Sequence, residues 1–332
     1  MNLTEHLKRA LERREPLLQQ LAKENTTAFR LFHGTAEGQP GVTIDIYGNL
    51  VLIQSFHVPL LTPEIAEIES FLSTTSFQIS AVDFCDRSSP GSKIKSSSLS
   101  SPQNFWFQEN GVELCYNSKH TGHDPLLFLD FRSTRRFLSQ ISQNQSVLNL
   151  FSYTCGAGVA AAVFGAIRVC NVDFAESALQ YGRMNAQKNG VLGCSEFVHS
   201  DFFTAARQMA GLKISKRGAA RTIPFRALPQ QQFDIVLLDP PRFAKSPFGT
   251  VDLINDYQSL FKPALLVTKP GGVLICTNNV AKVKKDEWEL VLLRCAEKAG
   301  APLEKIDFIL PDADFPSFDG NPPLKVAVCY PR

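Results

Sequence analysis

From residue 145 onward the chain alternates short apolar runs with helical patterns, and this alternation restricts the fold more than any other feature. Helical stretches at 158–165 and 175–189 lie between apolar runs, and Asn189-Gly190 closes the second helix. Short apolar strands joined by helices form a parallel sheet with both faces covered. The sequence therefore predicts an α/β fold with a doubly wound, mostly parallel sheet. Its five predicted strands are 147–150, 168–173, 196–201, 233–239 and 272–277.

The first part of the chain follows a different pattern. Leucines at helical spacing between residues 3 and 24 predict an amphipathic helix. Alternating β-branched residues on both sides of Gly48-Asn49 predict a hairpin. A short helix at 63–72 and strands near 77–84 and 111–116 are also predicted. We therefore predict three parts: an N-terminal helix (1–27), a small α+β domain (28–118) and the doubly wound domain (119–332).

Composition excludes several classes of protein. The 332 residues, 44% hydrophobic and 20% charged, can bury a large core, which excludes global disorder. No apolar run approaches the ~20 residues that cross a bilayer, and the polar N-terminus does not resemble a signal peptide. Eight cysteines without metal-ligand spacing favour reduced thiols over a disulfide framework or a zinc site. We expect a cytoplasmic protein without metal or membrane contact; monomer and homodimer both remain open.

Polar and small residues follow the predicted strands. In a doubly wound sheet, ligands bind beyond the carboxyl ends of the strands. The first strand leads through Asn149 into a loop, 151–158, that contains Gly156 and Gly158. Glycines let the backbone approach a ligand, and the next helix offers free N–H groups. The second strand ends at Asp173, which is suited to accept hydrogen bonds from a ribose diol. The pattern favours a nucleoside cofactor.

Each of these residues also has a purely structural interpretation. Gly158 could simply permit a turn, and Asp173 could cap the following helix. The third strand ends in Asp201-Phe202-Phe203, a carboxylate and two aromatic rings that could hold adenine. Adjacent phenylalanines are, however, more often core residues.

The fourth strand ends in the most specific segment, Asp239-Pro240-Pro241-Arg242-Phe243. Two prolines stop the strand and remove two N–H donors, which leaves carbonyl oxygens and a carboxylate as acceptors. Such a turn can receive an exocyclic amino group, or orient a base that stacks on Phe243.

A dinucleotide-binding site is the competing interpretation of the glycine loop. Gly156-x-Gly158-x-x-Ala161 satisfies the glycine spacing of an NAD site. However, a Phe-Ser-Tyr-Thr segment separates the glycines from the strand end, and a dehydrogenase has no need for the proline turn. A methyl donor therefore fits better than NAD.

At these residues the chain resembles the class I S-adenosylmethionine-dependent methyltransferases, which have a Rossmann-like fold. More narrowly, it is similar to the large-subunit ribosomal RNA methyltransferases that include cytosine-C5 and guanine-N7 enzymes. The similarity extends from about residue 28 to the C-terminus. Its matching segments are 30–34, 41–48, 127–132, 149–154, 172–173 with Asn185 and 189–190, 238–243 and 322–325.

The resemblance implies S-adenosylmethionine as cofactor and RNA as partner, with the base facing the proline turn. The implied catalytic residues are Asp239, Pro240, Pro241, Phe243 and Asn279. The implied donor contacts are Phe128, Asp130, Arg132, Asn149, Phe151, Tyr153, Thr154, Gly156, Gly158, Asp173, Phe174, Asp201, Phe202 and Asp239.

Three departures from the family pattern bear on the reaction. The roughly 25 residues before Thr26 are too few for the RNA-binding PUA domain that cytosine-C5 members carry. Cys155 stands where the family has Gly. The position of the C5 nucleophile, counted from Gly271-Gly272, is Asn279 rather than Cys, and we expect Cys276 to be a buried small apolar residue.

The missing nucleophile favours a nitrogen target. Cytosine C5 reacts only after a thiolate adds at C6, so that reaction needs covalent catalysis. Guanine N7 or an amino nitrogen already has a lone pair and mainly needs alignment.

A basic insertion at 211–232 could hold RNA phosphates, although a solvated loop is equally consistent. Its cations are Lys213, Lys216, Arg217, Arg221 and Arg226, and Lys282, Lys284 and Lys285 could extend the same face. Two other functions stay open at this point. The chain could methylate a protein or small molecule, or it could be a non-catalytic ribosome-assembly protein.

Overall fold

A computed structural model describes residues 2–88, 94–96, 104–120, 124–214, 225–246 and 249–332. Most of the Ser-rich stretch 86–102 lies outside these residues, as do Lys216, Arg217 and Arg221 of the basic insertion. The chain divides into two compact units. The first unit comprises Met1–Arg132 and Pro311–Phe318, and the second comprises Ser133–Leu310 and Asp319–Arg332. The predicted domain limits at 27 and 118 stay predictions.

The first unit is built on a five-stranded sheet with the order β1-β2-β3-β4-β5, and β6 and β7 form a separate two-stranded sheet. The predicted hairpin is confirmed, because β2 and β3 pair antiparallel across Gly48-Asn49. The elements are α1 (Leu3–Lys23), β1 (Ala28–His33), α2 (Gly34–Glu37), β2 (Val42–Tyr47), β3 (Leu50–Ser55), α3 (Thr62–Ser73), β4 (Ala81–Asp86), β5 (Lys95–Ser96), β6 (Phe105–Glu109) and β7 (Val112–Tyr116).

The two faces of the five-stranded sheet differ in chemistry. Alternate residues of β1 to β3, such as Leu31, Ile44 and Ile53, join the leucines of α1 and the apolar face of α3 in one buried cluster. Because side chains alternate across a strand, the intervening residues point to the opposite face. That face carries the polar residues Arg30, Asp45 and Gln54 with Tyr47, beside the buried Leu50 and Leu52.

The second unit contains a seven-stranded sheet with the order β10-β9-β8-β11-β14-β16-β15. Strands β10, β9, β8, β11 and β14 are parallel, whereas β16 pairs antiparallel with both β14 and β15. The elements are α4 (Arg132–Ile141, whose first residue belongs to the first unit), β8 (Ser146–Leu150), α5 (Gly156–Val163), β9 (Arg168–Asp173), α6 (Glu176–Lys188), β10 (Ser195–His199), α7 (Phe202–Met209), β11 (Phe233–Leu238), β12 (Phe243–Ser246), β13 (Gly249–Asp252), α8 (Gln258–Leu266), β14 (Thr268–Asn278), α9 (Lys285–Ala299), β15 (Leu303–Ile309) and β16 (Lys325–Pro331).

This topology confirms the predicted fold class. The five predicted strands all occur, and the apolar side chains on one of their faces join those of α7, α8 and α9 in one core cluster. The strand order reverses between β8 and β11, so the switch point where ligands bind in such sheets lies there. In the described part of the chain, no helix is both long enough and apolar enough to span a bilayer.

Candidate functional site

The loop that follows β8 has an unusual backbone. Phe151, Tyr153 and Cys155 have φ values of 55°, 48° and 61°, so three non-glycine residues adopt the left-handed conformation at alternate positions. Such conformations cost of order 1–3 kcal/mol each and persist where neighbouring groups enforce them. Here the Ser152 amide donates to the Val172 carbonyl at 3.0 Å, and the Cys155 amide donates to the Ser152 carbonyl at 2.7 Å. The loop is therefore held in a strained shape at the switch point.

Asp173, at the end of β9, completes this restraint. Its Oδ2 accepts a hydrogen bond from the Tyr153 amide at 2.7 Å, and its Oδ1 accepts one from the Ala175 amide at 2.8 Å. The carboxylate shapes the loop and holds the residue that precedes α6. The N-cap of α6 is Ala175, without a side-chain cap, so the prediction that Asp173 caps this helix is wrong. Burial raises the pKa of Asp173, although the amide hydrogen bonds oppose that shift. Beside it, the ring of Phe174 is 57% exposed.

Gly158 serves close packing between helix and sheet. It lies inside α5 without a left-handed φ. A Cβ atom there would come within 2.0 Å of Asn171 Oδ1 and 3.1 Å of Asn149 Nδ2. These two side chains are themselves joined, because Asn149 Nδ2 donates to Asn171 Oδ1 at 3.0 Å. The glycine thus lets α5 approach the sheet, and the simple-turn interpretation is wrong.

Cys155 departs from the family's glycine, and α6 accommodates the change. The thiol is fully buried, and burial raises its pKa. A Cβ at Gly182 of α6 would lie 2.4 Å from the Cys155 sulfur, so only glycine leaves room for it. Asn185 of the same helix donates to the Thr154 carbonyl at 3.1 Å, and this bond connects the loop to α6.

Asp201 and the two phenylalanines after it are more structural than the sequence suggested. The Asp201 carboxylate caps α7 by accepting from the Phe203 amide at 2.9 Å. Phe202 is only 4% exposed and stacks on Phe151, with ring centroids 4.7 Å apart. Phe203 is equally buried and packs under Gly249. Both rings belong to the core, as the core interpretation anticipated, while Phe202 also supports the loop after β8 through Phe151.

The corner after β11 is held by side chains. Thr277 Oγ1 donates to Asp239 Oδ1 at 2.5 Å, and the Tyr257 hydroxyl donates to the Thr277 carbonyl at 2.8 Å. Pro240 is buried, whereas Pro241 and Phe243 are exposed, and Lys245 Nζ lies 5.7 Å from the centroid of the Phe243 ring. Thr277 could not be found from the sequence, because nothing local indicates that a residue of β14 would bond Asp239.

Asn279 is exposed within a buried run, and the residues beside it are clamped. Asn278 Nδ2 donates to the Leu253 carbonyl at 3.3 Å, and Asn278 Oδ1 accepts from the Val280 amide at 3.0 Å. Lys325 Nζ donates to the Val280 carbonyl at 3.2 Å and to the carbonyls of Pro322 and Pro323 at 3.3 and 3.0 Å. Burial lowers the pKa of Lys325. These contacts present Asn279 at the end of β14.

Cys276 faces away from this corner. Its neighbour Thr277 bonds Asp239, so alternation along β14 turns the cysteine into the core, as predicted. Its sulfur lies 3.9 Å from that of Cys329. All eight cysteines are described: seven are buried and Cys194 is partly buried.

The remaining predicted donor residues belong to the first unit. Arg132, 2% exposed, donates to Asp312 Oδ2 at 2.7 Å and to Asp314 Oδ1 at 2.6 Å. Phe128 is 44% exposed, and it lines a cavity of the first unit together with Asp130.

Within the described residues, no group of three or more His, Cys, Asp or Glu residues could hold a metal ion.

Comparison with known proteins gives this geometry a context. Residues 30–329 match the model of a family described as S-adenosylmethionine-dependent methyltransferase. Proteins named ribosomal RNA large subunit methyltransferase I are 27% identical in Aeromonas salmonicida (93% of this chain, 74% of the relative) and 28% identical in Escherichia coli SMS-3-5 (94% and 75%).

Among solved structures, SMU.776 in complex with SAH has a TM-score of 0.78 and 23% identity, and the match covers 99% of this chain and 82% of that one. Trm5b from Pyrococcus abyssi has a TM-score of 0.58 and 15% identity, with coverage of 90% and 77%. At these identities the structural likeness supports the fold.

Proposed function

The chain belongs to the S-adenosylmethionine-dependent methyltransferase family, and from that membership we propose that it methylates a nitrogen atom of an RNA base. The observation that carries the nitrogen target is the placement of Cys276, buried against Cys329, while Asn279 occupies the position of the family's nucleophile. Separate observations support the position of the donor site, the role of the acceptor corner and RNA as the substrate.

The loop after β8 fits the donor. Its strained shape leaves the start of α5 beside Asp173, and a helix N-terminus offers free N–H groups to an anionic group such as the donor's carboxylate. Each oxygen of Asp173 already accepts one amide and keeps capacity for a further hydrogen bond from a ribose hydroxyl. The exposed ring of Phe174 offers an apolar surface for adenine. We assign the donor to these residues, with Asn149, Tyr153, Thr154, Gly156 and Gly158 shaping the site and Asp201 and Phe202 supporting it.

When bound, S-adenosylmethionine supplies a methyl group on a positively charged sulfur. The chain's own task is to place a nucleophile in line with that group. Proximity and orientation can contribute ~7–11 kcal/mol to such a reaction.

The corner after β11 suits an acceptor that carries N–H groups. The Asp239 carboxylate and the Pro240 carbonyl accept hydrogen bonds, and the two prolines have no N–H to donate. Thr277 fixes Asp239 Oδ1, so the carboxylate has a defined orientation toward the acceptor. The exposed Phe243 ring can stack against the base, and Asn279 can bond its edge.

The cysteines argue against cytosine C5. Attack at C6 needs an accessible thiolate, and burial raises the pKa of thiols. The position that corresponds to the family's nucleophile holds Asn279, and the nearby Cys276 is packed against Cys329. A nitrogen with its own lone pair needs no such thiolate.

RNA as the substrate rests on the relatives, which are named for methylation of large-subunit ribosomal RNA. The exposed Lys282, Lys284 and Lys285 lie just after β14, where they can contact phosphates near the acceptor corner. A base inside a duplex must be extruded before it can reach such a site. We propose a cytoplasmic enzyme that acts on ribosomal RNA.

Nucleoside mass spectrometry of ribosomal RNA from a strain without the gene tests the proposal. We expect one N-methylated nucleoside to decrease and to return with the wild-type gene but not with an Asp239→Ala variant. Loss of 5-methylcytidine alone would refute the nitrogen target. If no modified nucleoside changes, the substrate is a protein or small molecule, or the protein does not catalyse; calorimetry with S-adenosylmethionine separates these cases.

A further inference from the structure

The face of the first sheet opposite α1 and α3 is buried as well, and it borders a cavity of about 240 Å³ within the first unit. Its floor consists of side chains that alternate with the apolar residues packed against α1 and α3: Arg30, Asp45, Tyr47 and Gln54. Its walls include Phe56 and Phe128, whose rings are 43% and 44% exposed. A small sheet has therefore placed polar groups and accessible rings around one concave space.

One polar group on the floor lacks a partner. Gln54 is 4% exposed, yet its side-chain amide makes no hydrogen bond within the part of the chain that the structure describes. The amide atoms are not among the fully buried polar atoms that lack a partner, so they are accessible from the cavity. A ligand in the cavity can therefore hydrogen-bond the amide.

The neighbouring polar groups are already fixed. Arg30 Nε and Nη2 donate to the two carboxylate oxygens of Asp45 at 2.7 and 2.9 Å, and the guanidinium lies 4.6 Å from the centroid of the Phe315 ring. The Tyr47 hydroxyl donates to the Leu127 carbonyl at 3.0 Å. These bonds hold the side chains around Gln54 in place. The cavity therefore favours a planar ligand that hydrogen-bonds to the Gln54 amide.

We propose that this cavity binds a nucleobase of the RNA substrate, stacked on Phe56 and Phe128 and hydrogen-bonded to Gln54. Single-stranded RNA is read in this way, by bases that stack on aromatic side chains and by hydrogen bonds to base edges. A glutamine amide carries both donors and an acceptor, so it can pair with a base edge. The inference rests on the proposed function and adds a second contact with RNA, separate from the methylated base.

Two variants test it against a matched control. Phe56→Ala removes an exposed ring, and Gln54→Leu removes the amide at similar volume. Val58→Ala removes an exposed apolar side chain (70%) that does not line the cavity. The probes are an unmodified transcript of large-subunit ribosomal RNA, measured by filter binding, and S-adenosylhomocysteine, measured by calorimetry.

We expect Phe56→Ala to weaken RNA affinity about 5- to 150-fold, since stacking contributes about 1–3 kcal/mol per base. Gln54→Leu should weaken it about 5- to 10-fold. The affinity for S-adenosylhomocysteine should stay within about twofold of wild type for both variants, and Val58→Ala should change neither affinity.

Two results would overturn the inference. RNA affinities of both variants equal to that of Val58→Ala would show that no base binds here. Weakened S-adenosylhomocysteine binding with unchanged RNA affinity would assign the cavity to the donor, which the family resemblance also links to Phe128 and Asp130. Failure of the proposed function is seen separately, as absence of methyl transfer by the wild-type protein to any RNA.

Discussion

The two sheets of this molecule display their polar residues in different places. The seven-stranded sheet is packed with helices, and its polar candidates, Asp173, Asp201 and Asp239, follow the carboxyl ends of strands. The five-stranded sheet carries Arg30, Asp45 and Gln54 in the middle of strands, on the face opposite its apolar cluster. The cavity explains the difference. Both sheets are buried on both faces, so the seven-stranded sheet offers side chains beyond its strand ends, whereas the five-stranded sheet offers those that border the cavity.

The stabilising contacts differ as well. At the carboxyl edge of the seven-stranded sheet, carboxylates accept from backbone amides or from a threonine hydroxyl. In the first unit, buried arginines bind carboxylates directly, as in Arg132 with Asp314 and Arg14 with Glu37. If this contrast holds, arginine substitutions in the first unit should affect folding, and substitutions at the carboxyl edge should affect donor or acceptor chemistry.

The largest effect is expected for Arg132→Met. This change leaves the buried carboxylate of Asp314 without its ion partner, and breaking a buried pair costs about 3–5 kcal/mol. Urea unfolding should show a loss of that size, against less than about 0.5 kcal/mol for the exposed control Arg9→Met. A loss below about 1 kcal/mol together with weaker donor binding would instead support the donor contact that the family resemblance implies.

Asp173→Ala should come next and should act at the donor site. It leaves the Tyr153 and Ala175 amides without their acceptor, while it relieves the cost of burying a carboxylate, so we expect a net loss of about 2–4 kcal/mol. Calorimetry should show at least about tenfold weaker S-adenosylhomocysteine binding. The control Asp201→Ala removes one capping bond and should cost about 0.5–2 kcal/mol. Equal donor affinity in the two variants would contradict the role of Asp173.

The positions of Asp173, Asp201 and Asp239 could be predicted from the sequence alone, because each follows or ends an apolar strand. A strand such as 168–173 is apolar, is bounded by helices and must end at the ligand edge of the sheet, so Asp173 could be located without coordinates. Strands β15 and β16 escaped prediction, because β16 begins with Lys325, ends with Pro331 and follows a Pro- and Asp-rich segment.

Contacts between distant residues could not be predicted in this way. Thr277 bonds a residue 38 positions earlier, and Arg132 bonds one 182 positions later. Gln54 lies in a strand that is otherwise mostly apolar. Only the register of this strand with β2 and the packing of its opposite face show that Gln54 borders a cavity. Such roles depend on the face of the sheet that a side chain occupies. Local sequence patterns do not determine that face for every strand.

Thr277→Val tests the acceptor corner and should act on the reaction rather than on folding. Without the hydroxyl, Asp239 loses its fixed orientation, and small misplacements at a reacting centre cost up to about 100-fold in rate. We expect kcat to fall about 10- to 100-fold while S-adenosylhomocysteine affinity stays within about twofold. Thr277→Ser restores the hydroxyl and should recover most of the rate. A serine variant as slow as the valine variant would mean that packing, not the hydrogen bond, matters.

The smallest effect concerns pH and belongs to the first unit. Burial and the neighbouring Arg30 lower the pKa of His33 to about 4, with Arg14 acting in the same sense and Glu37 opposing it. The native state therefore binds fewer protons than the unfolded chain between pH 4 and the ordinary value of 6.5. Stability from His33 is fully present above about pH 6.5 and decreases as the pH falls toward 4, by on the order of 2 kcal/mol after allowance for partial exposure.

The substitution His33→Gln tests this, because glutamine does not titrate. Between pH 7 and pH 5 the unfolding free energy of this variant should decrease less than that of wild type. Parallel pH curves for the two proteins would show that the site of His33 tolerates a charged imidazolium, and the contrast between the two sheets would then rest on the arginine pairs alone.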